Sequence, residues 1–526
     1  MSTMFLNALK QMDNFTKTEN GAVALSSTGH AVLDAFGSLA AMKDSPEEDI
    51  LRTWQAAFSE DKELAMRLLF YVRDIRGGQG MRRVFRVIVK NMAYVQKDLI
   101  IKNLDNFLFF GRGDDVLCLL DTPIKQDVIL WIGKVLVEDA KAEYPSLLAK
   151  WLPSENASSA QTKAYAREII KGLNITPRAY RRVLSKLRKR IGIVETLMSQ
   201  NRWEEIQFDK LPSRASMIYS DAFMRHVEEN YINYLKKLAE GDAKVNAGAL
   251  FPVDIIHKVA EKVGYSWREN NIKLQDIYLL TAMWKALPDY FGDTEETGLC
   301  VVDTSGSMSG TPLEVAVSLG MYCADKAKGP FHGNFITFSS KPKLQQIIGD
   351  TIVDKYRNLI RADWEMNTDL EAVFDLILNT AVANNMAPED LPTKLYIISD
   401  MQFDDARGNG GSYWNRNYSY APRTFMDRMK LRYARYSYTM PAIVYWNVRA
   451  SKCGMFQQTF EGENCAMVSG YSPSLFKAVI EGTEWVEEEV VDTKTGEKKT
   501  IVKQKIDPIE VMKTTLMNER YDRVLI

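Results

Sequence analysis

The C-terminal half of the chain contains the stretch Gly298-Leu299-Cys300-Val301-Val302-Asp303-Thr304-Ser305-Gly306-Ser307. Its first half is a short, uninterrupted apolar run, and its second half is polar or small. An apolar run of this length, bounded by turn residues, is typical of a strand that is buried on both faces. The sequence therefore predicts a buried strand followed by a polar loop that begins at Asp303.

The same pattern of a strand followed by an acid recurs at Lys394-Leu395-Tyr396-Ile397-Ile398-Ser399-Asp400. Between and after these two runs, short apolar strands alternate with segments of helical periodicity. Such alternation predicts a mostly parallel, doubly wound α/β sheet. The predicted strands cover 298–303, 333–338, 343–348, 394–400 and 442–448, and the predicted helices cover 312–327, 370–384, 425–436 and 473–480.

Polar side chains follow the ends of the predicted strands and suit a hard cation. Asp303, Ser305 and Ser307 follow the first strand, Thr368 precedes the helix that starts at Leu370, and Asp400 ends a later strand. In open α/β sheets, ligands collect at the carboxyl ends of strands. Carboxylate and hydroxyl oxygens suit Mg²⁺, or another divalent cation such as Mn²⁺ or Ca²⁺, and the absence of soft ligands disfavours zinc and copper.

This set of residues resembles the metal-ion-dependent adhesion site of von Willebrand factor A domains. Asp303, Ser305 and Ser307 match its first motif, Thr368 matches its threonine motif and Asp400 matches its final aspartate. The resemblance implies a von Willebrand A fold with a divalent-metal site at these residues. The alternative is the same fold with an unused site.

The N-terminal half has a different pattern. From about residue 30 to 290, apolar residues recur at three- and four-residue spacing, and Pro, Gly and Asn separate the runs. This pattern predicts an all-α helical-repeat (HEAT-like) array, although no exact repeat period is present. The predicted helices cover 50–58, 62–73, 81–90, 97–104, 160–172, 177–190, 220–239, 252–263 and 273–286. We expect three regions: 1–292 as the helical array, 293–482 as the α/β domain, and 483–526 as a charged segment and final helix over 507–526.

Residues 484–505 carry an acidic run, Glu487-Glu488-Glu489, and a basic run that includes Lys498 and Lys499, on either side of Thr495-Gly496. One interpretation is a hairpin with cross-strand charge pairing around a Gly turn. The other is a charged, disordered insert.

Several motifs of the helical half, followed by the metal motif, resemble TROVE-type, Ro-like RNA-binding proteins and their uncharacterised relatives. The resemblance covers the chain to about residue 482, and its metal half is the more specific. It implies a ring in which a helical array is closed by the von Willebrand A domain, single-stranded RNA ends enter a positively charged hole, and small structured RNAs bind outside. The helical motifs are Arg73-Asp-Ile-Arg76-Gly-Gly-Gln-Gly80-Met-Arg82-Arg83, Phe110-Gly-Arg112-Gly-Asp114-Asp115, Arg202-Trp203-Glu204-Glu205-Ile206 and Leu211-Pro212-Ser213-Arg214-Ala215.

Two basic segments are the candidate RNA contacts, because Lys and Arg along a helix face neutralise phosphates without reading sequence. In the first segment, pairing of the arginines with Asp74, Asp114 or Asp115 is the alternative. In the second, the alternative is a solvated helix face. The candidate residues are Arg73, Arg76, Arg82 and Arg83, then Arg178, Arg181, Arg182, Lys186, Arg188 and Lys189.

Composition narrows the class of protein. The chain has 526 residues, enough for two or more domains, and a net charge of −1, so nucleic-acid binding requires a local basic surface. The five cysteines form no CxxC pair, and no run of about 18 apolar residues predicts a membrane span. The N-terminus does not resemble a secretory signal, so we expect a cytoplasmic protein.

Our leading hypothesis is a non-enzymatic, Ro-like scaffold that binds small or single-stranded RNA and holds a divalent metal. The second hypothesis is a protein-interaction platform whose metal binds a partner's Asp or Glu without RNA. A third, a two-metal nuclease built on Asp400, Asp404 and Asp405, is disfavoured because the serine-rich motif suits binding and no histidine lies near it in the sequence.

Overall fold

A computed structural model describes residues 14–263, 272–294, 297–338, 342–360, 369–403, 425–462, 464–491 and 498–526. The chain divides into two compact units, and each contains segments that are distant in sequence. Unit 1 comprises Met1–Asp61, Phe251–Asn271 and Asp289–Leu516. Unit 2 comprises Lys62–Leu250, Ile272–Pro288 and Met517–Ile526.

The strands of the described residues all belong to unit 1. They are β1 (Phe15–Lys17), β2 (Val23–Leu25), β3 (Gly298–Val302), β4 (Asn334–Thr337), β5 (Lys343–Gln346), β6 (Lys394–Ser399), β7 (Ala442–Asn447), β8 (Cys465–Ser469), β9 (Thr483–Val491) and β10 (Lys498–Ile506).

The helices occur in both units. They are α1 (Ala31–Phe36), α2 (Glu47–Glu60), α3 (Lys62–Arg73), α4 (Arg82–Val95), α5 (Lys97–Lys102), α6 (Leu104–Phe110), α7 (Lys125–Lys141), α8 (Leu148–Trp151), α9 (Ala160–Gly172), α10 (Pro177–Ile191), α11 (Val194–Ser199), α12 (Ser213–His226), α13 (Glu228–Glu240), α14 (Pro252–Val263), α15 (Leu274–Lys285), α16 (Thr311–Lys326), α17 (Ile352–Ile360), α18 (Leu370–Ala383), α19 (Phe425–Ala434), α20 (Ser474–Glu481) and α21 (Pro508–Leu516).

Unit 1 is built on a six-stranded sheet with the order β5-β4-β3-β6-β7-β8. All neighbouring pairs are parallel except β4 and β5, which makes β5 an antiparallel edge strand. Every residue of β3, β6, β7 and β8 is buried. Continuous burial explains the uninterrupted apolar runs of these strands, because helices cover a parallel sheet on both faces. The predicted α/β domain with a mostly parallel sheet is confirmed at this level.

Helix α16 packs closely on the centre of this sheet, where it contacts β3, β4 and β6. The close approach depends on Gly320, because a Cβ at this position would lie 2.5 Å from Cγ2 of Val302. Val302 immediately precedes Asp303, so this contact fixes the end of the strand from which the polar loop begins.

In the described residues of unit 2, all regular secondary structure is helical, as the periodicity of the N-terminal half predicts. Its first helices share an aromatic core. The ring of Phe70 packs against those of Phe85, Phe107 and Phe110, and Phe85 packs against Phe107, with ring centroids no more than 6.2 Å apart in each pair. Tertiary packing of such apolar faces, more than intrinsic propensity, stabilises helices of this length.

Two helix predictions are wrong in their extent. The predicted helix over 220–239 is two helices, α12 and α13, because the backbone of Val227 leaves the helical region at φ −144° and ψ 48°. The predicted final helix over 507–526 ends at Leu516, and a short 3-10 turn at Glu519–Tyr521 follows.

The charged segment near the C-terminus forms the hairpin that was one of its two interpretations. Strands β9 and β10 pair antiparallel from Thr483 opposite Ile506 to Val491 opposite Lys498. In this register, Glu484 lies opposite Lys505, whereas Glu487 and Glu488 lie opposite Val502 and Ile501. Opposite charges are therefore placed directly across the two strands at Glu484 and Lys505. The predicted turn at Thr495-Gly496 lies outside the described residues.

In the part of the chain that the structure describes, no helix is both long enough and apolar enough to cross a lipid bilayer.

Candidate functional site

The strand order of unit 1 reverses between β3 and β6. From β3 the chain continues outward to β4 and β5, whereas from β6 it continues in the opposite direction to β7 and β8. In doubly wound sheets, the crevice at the carboxyl ends of the two strands flanking such a reversal is the usual ligand site. Asp303 directly follows β3 and Asp400 directly follows β6, so the two aspartates lie at this position.

Asp303 is a fully buried carboxylate whose two oxygens accept separate hydrogen bonds. Ser399 Oγ donates to Oδ2 at 2.5 Å, and the Ser305 backbone N–H donates to Oδ1 at 2.9 Å. Burial raises the pKa of Asp303 to about 6, against the opposing effect of these hydrogen bonds, and the charge of Asp400 raises it further. The site therefore concentrates negative charge that the surrounding protein does not fully compensate.

Asp400 is also largely buried. Its Oδ1 accepts a hydrogen bond from the Gln402 N–H at 3.2 Å. Burial raises its pKa, and the Ser307 hydroxyl, the Gln402 N–H and the Arg449 guanidinium act in the opposite direction. Met401, the next residue, has a φ of 64°, an uncommon value for a non-glycine residue and one that often occurs at functional sites.

The two serines of the loop lie close together. Their hydroxyl oxygens, Ser305 Oγ and Ser307 Oγ, are 3.1 Å apart, and Arg449 Nη1 donates to the Ser307 carbonyl at 2.5 Å. Arg449 follows the end of β7, so a third strand also contributes to this edge of the sheet.

The predicted ligand set is therefore partly assembled in the described residues. Asp303, Ser305, Ser307 and Asp400 converge at one edge of the sheet, whereas Thr368 lies outside the described residues, as do Asp404 and Asp405. The described residues contain no cluster of three or more His, Cys, Asp or Glu side chains suited to a metal. Two carboxylates and two hydroxyls fit a hard cation that takes only oxygen ligands and keeps several waters, and its charge would offset the buried aspartates.

Ser399 and the N-terminal turn Thr18–Asn20 are features that the sequence analysis missed. Thr18 Oγ1 donates to the Phe403 carbonyl at 2.7 Å, the Glu19 N–H donates to Gln402 Oε1 at 2.7 Å, and Glu19 contributes to the raised pKa of Asp400. Nearly four hundred residues separate the two segments in the sequence, so no local pattern could reveal the contact. Ser399 had a usable signal: a polar residue at the end of an otherwise apolar strand.

The first basic segment, in unit 2, is a network of ion pairs. Arg73 is 1% exposed, and its Nη2 lies 2.6 Å from Oδ2 of the buried Asp115. Arg86 pairs with both Asp115 and Asp114, at 2.8 Å and 3.0 Å. Pairing with the aspartates was the open alternative to RNA binding, and burial leaves Arg73 no surface to offer to a phosphate.

The other arginines of this segment are less enclosed. Arg76 Nη1 donates to the Phe109 carbonyl at 3.2 Å, and Arg82 lies 3.7 Å from Asp114. Arg82 and Arg83 are exposed. Of these cations, Arg82 is thus partly neutralised by Asp114.

The second basic segment, helix α10, has two different faces. Arg178, Arg182 and Lys186 are exposed at four-residue spacing, and within the described residues no carboxylate pairs with them. Lys189 is exposed as well, whereas Arg181 pairs with Glu155 at 2.8 Å.

Arg188 and Arg190 of the same helix have a structural role. Arg188 Nε and Nη2 donate to the Ala149 and Leu152 carbonyls, and Arg190 Nη1 donates to the Asp139 and Ala140 carbonyls. These carbonyls belong to the last turns of α8 and α7, where a cation is favoured by the helix dipole.

Comparison with known proteins gives matches over most of the chain. Residues 297–516 match a domain of unknown function, DUF7788, and residues 18–108 and 139–293 match another domain of unknown function, DUF2828. A relative, an uncharacterized protein of Acanthamoeba polyphaga mimivirus, is 28% identical over 515 residues, which are 90% of this chain and 86% of that protein.

Proposed function

We propose that the protein is a Ro-like, non-enzymatic RNA-binding scaffold in which unit 1 is a von Willebrand A-like domain that holds a divalent cation, with Mg²⁺ as the first candidate. The observation that carries the proposal is the pair of buried aspartates, Asp303 and Asp400, on either side of the point where the strand order reverses.

Electrostatics favours a bound cation at this edge. Burial disfavours the charged form of both aspartates, and the few hydrogen bonds that each accepts do not reverse this effect. Burying a carboxylate is unfavourable unless it is paired or coordinates a metal. Asp303, Ser305, Ser307, Asp400 and, in the proposal, Thr368 would hold the cation, which would supply charge compensation and an anchor for an incoming anionic group.

The test of the metal site is calorimetric titration of the purified, chelator-treated protein with Mg²⁺ and Mn²⁺. We expect saturable binding that Asp400→Asn weakens by about tenfold or more, since the variant removes one of two charged ligands. Asp390→Asn is the matched control, because Asp390 is exposed and lies in the turn before β6, at the opposite end of the same strand. Equal affinity in wild type and Asp400→Asn would refute the site.

RNA binding is assigned in the proposal to the exposed face of α10. Three cations at four-residue spacing lie on the same side of a helix and can contact successive phosphates. Within the described residues, no carboxylate forms an ion pair with these three cations, whereas Arg73 is already paired with Asp115. We therefore give Arg178, Arg182 and Lys186 the main role.

The test is fluorescence anisotropy with a labelled single-stranded RNA at low salt. The Arg182→Glu, Lys186→Glu variant should bind at least about tenfold more weakly, and its affinity should depend less steeply on salt concentration. Lys236→Glu, Lys237→Glu is the control, because these exposed lysines lie on another helix of unit 2, α13. RNA affinity that is unchanged by the α10 reversals would remove RNA binding from this face.

The second candidate function is a protein-interaction platform without RNA. It is favoured by the small number of protein ligands at the metal edge, which would leave coordination positions open to a partner's Asp or Glu. A partner that is lost on addition of chelator but retained after nuclease treatment would support this function over the first.

A further inference from the structure

A cleft in unit 2 lies beside α10 and adjoins the face that carries Arg178, Arg182 and Lys186. Its volume is about 310 Å³, at the lower end of the range for small-molecule sites. Leu184 and the ring of Tyr180, both buried, supply its apolar part. Its polar lining consists mainly of Ser154, Arg181, Ser185, Arg188, Lys189 and Gln200.

The lining is strongly cationic. Among the residues that the structure describes, it contains three basic side chains, from Arg181, Arg188 and Lys189, and no acidic one. Glu155 pairs with Arg181 from beside the cleft, which leaves two of the three cations without an acidic partner in the described residues. A cavity with this excess of positive charge favours an anion, because charges in a partly enclosed space are screened less than at an open surface.

Arg188 is the cleft residue whose side chain is held in a fixed position by the protein. Its side chain is only partly exposed, and burial lowers the pKa of its guanidinium, against the opposing effect of Tyr180. Two of its N–H groups donate to the Ala149 and Leu152 carbonyls. A guanidinium has five N–H groups, so three remain for a ligand, and the two existing hydrogen bonds hold the group in a fixed orientation.

Helical spacing aligns the donors. Arg181, Ser185 and Arg188 follow one another at four and three residues, so their side chains lie in one row along α10 and face the cleft together. In this row the Ser185 hydroxyl lies between the guanidinium groups of Arg181 and Arg188. Such a set of donors suits the tetrahedral oxygens of a phosphate.

We propose that this cleft binds the phosphate monoester of a nucleotide, either a free nucleoside monophosphate or the phosphorylated end of an RNA strand. The second source rests on the RNA-binding function proposed above, whereas the first does not. A monoester carries close to two negative charges at neutral pH, which matches the two cations without acidic partners, and a diester carries one. The remaining volume and the Leu184 surface accommodate the nucleoside.

The experiment compares ligands with and without the phosphate. Calorimetry with adenosine 5′-monophosphate and with adenosine tests the cleft itself, and anisotropy with 5′-phosphorylated and 5′-hydroxyl forms of one short RNA tests the strand end. We expect the monophosphate to bind and adenosine not to bind, and we expect the phosphorylated RNA to bind more tightly than the hydroxyl form if RNA is the source.

Ser185→Glu and Lys189→Gln are the test variants, because both residues are exposed and their replacement should preserve folding. Ser185→Glu should weaken binding of the monophosphate by about tenfold or more through like-charge repulsion. Lys237→Glu reverses an exposed charge on α13 and should leave binding of the monophosphate unchanged.

The possible outcomes separate the two proposals. Binding of the monophosphate without binding of either RNA supports the cleft and refutes the RNA function. Equal binding of both RNA forms, with no binding of the monophosphate, supports the RNA function and overturns the cleft. Monophosphate affinity that is unchanged in both Ser185→Glu and Lys189→Gln also overturns the cleft.

Discussion

The hydroxyl of Ser399 donates a 2.5 Å hydrogen bond to the Asp303 carboxylate, across the two neighbouring strands β6 and β3. Both residues are fully buried. The same hydroxyl accepts a hydrogen bond from the Met401 N–H at 3.0 Å, so one serine links the end of the first strand to the turn that carries Asp400. The geometry of both aspartates therefore depends on a residue outside the predicted ligand set.

Substitution of Ser399 by Ala should lower the stability of the metal-free protein by about 1–3 kcal/mol, because a buried carboxylate oxygen loses its donor. Divalent-cation affinity should fall as well, since Asp303 is then less well fixed. Urea unfolding and calorimetry measure the two effects. Ser199→Ala, which removes an exposed hydroxyl, is the control, and equal stability of the two variants would contradict the prediction.

Substitution of Gly320 by Ala should destabilise unit 1 by about 1–3 kcal/mol, because the added methyl would overlap Val302 and force helix α16 away from β3. Thermal unfolding measures the loss. Gly248→Ala adds a methyl in open space and should leave the unfolding temperature nearly unchanged. A Gly320→Ala protein as stable as wild type would contradict the prediction, because it would show that α16 can shift with no loss of unfolding free energy.

Asp114 should make the stability of unit 2 sensitive to acid. Burial alone would raise its pKa, but the Arg112 and Arg86 guanidiniums outweigh this effect and hold the pKa below its ordinary value of 3.8. An acid with a lowered pKa in the folded state stabilises that state above the unfolded pKa, and the contribution disappears as the pH falls through the folded pKa.

Asp114→Asn should therefore be less stable than wild type at neutral pH, and the difference should shrink as the pH falls below about 3.8. Urea unfolding of both proteins at several pH values measures this. A difference that stays constant with pH would mean that the charge of Asp114 contributes nothing, and that the variant acts through packing.

Replacement of Arg520 by Ala should loosen the C-terminal segment of unit 2. Arg520 donates to both oxygens of the fully buried Asp74, which also accepts from the Tyr521 hydroxyl at 3.3 Å. Loss of hydrogen bonds to a charged group typically costs about 1.5–3 kcal/mol. Hydrogen exchange should become faster in α3, whereas Arg167→Ala, at an exposed position, should have no effect.

The sheet was predictable because burial on both faces leaves an unmistakable run of apolar residues. The strands that end at Val302 and Ser399 are of this kind, and so Asp303 and Asp400 could be placed at strand ends. Strand β8 was missed although it is fully buried, because its sequence Cys-Ala-Met-Val-Ser lacks the β-branched character of the other strands.

The basic surface was harder to predict. Sequence spacing shows which cations share a helix face, but not whether a carboxylate from elsewhere neutralises them. Asp115 lies 42 positions after Arg73, and only the folded chain shows that the two form a buried pair. The contact of the N-terminal turn with Gln402 and Phe403 could not be predicted either, because it joins segments that are distant in sequence.

Each of the two compact units is built from segments that are distant in sequence, and this has a consequence for folding during synthesis. Residues of Met1–Asp61 belong to the unit whose sheet begins at Gly298, so they leave the ribosome long before their packing partners exist. At roughly 5–20 residues per second, this delay lasts some tens of seconds. During that interval, Leu25 lacks Phe456, with which its backbone exchanges two hydrogen bonds, and nascent chains should depend on chaperones more than the compactness of the finished units suggests.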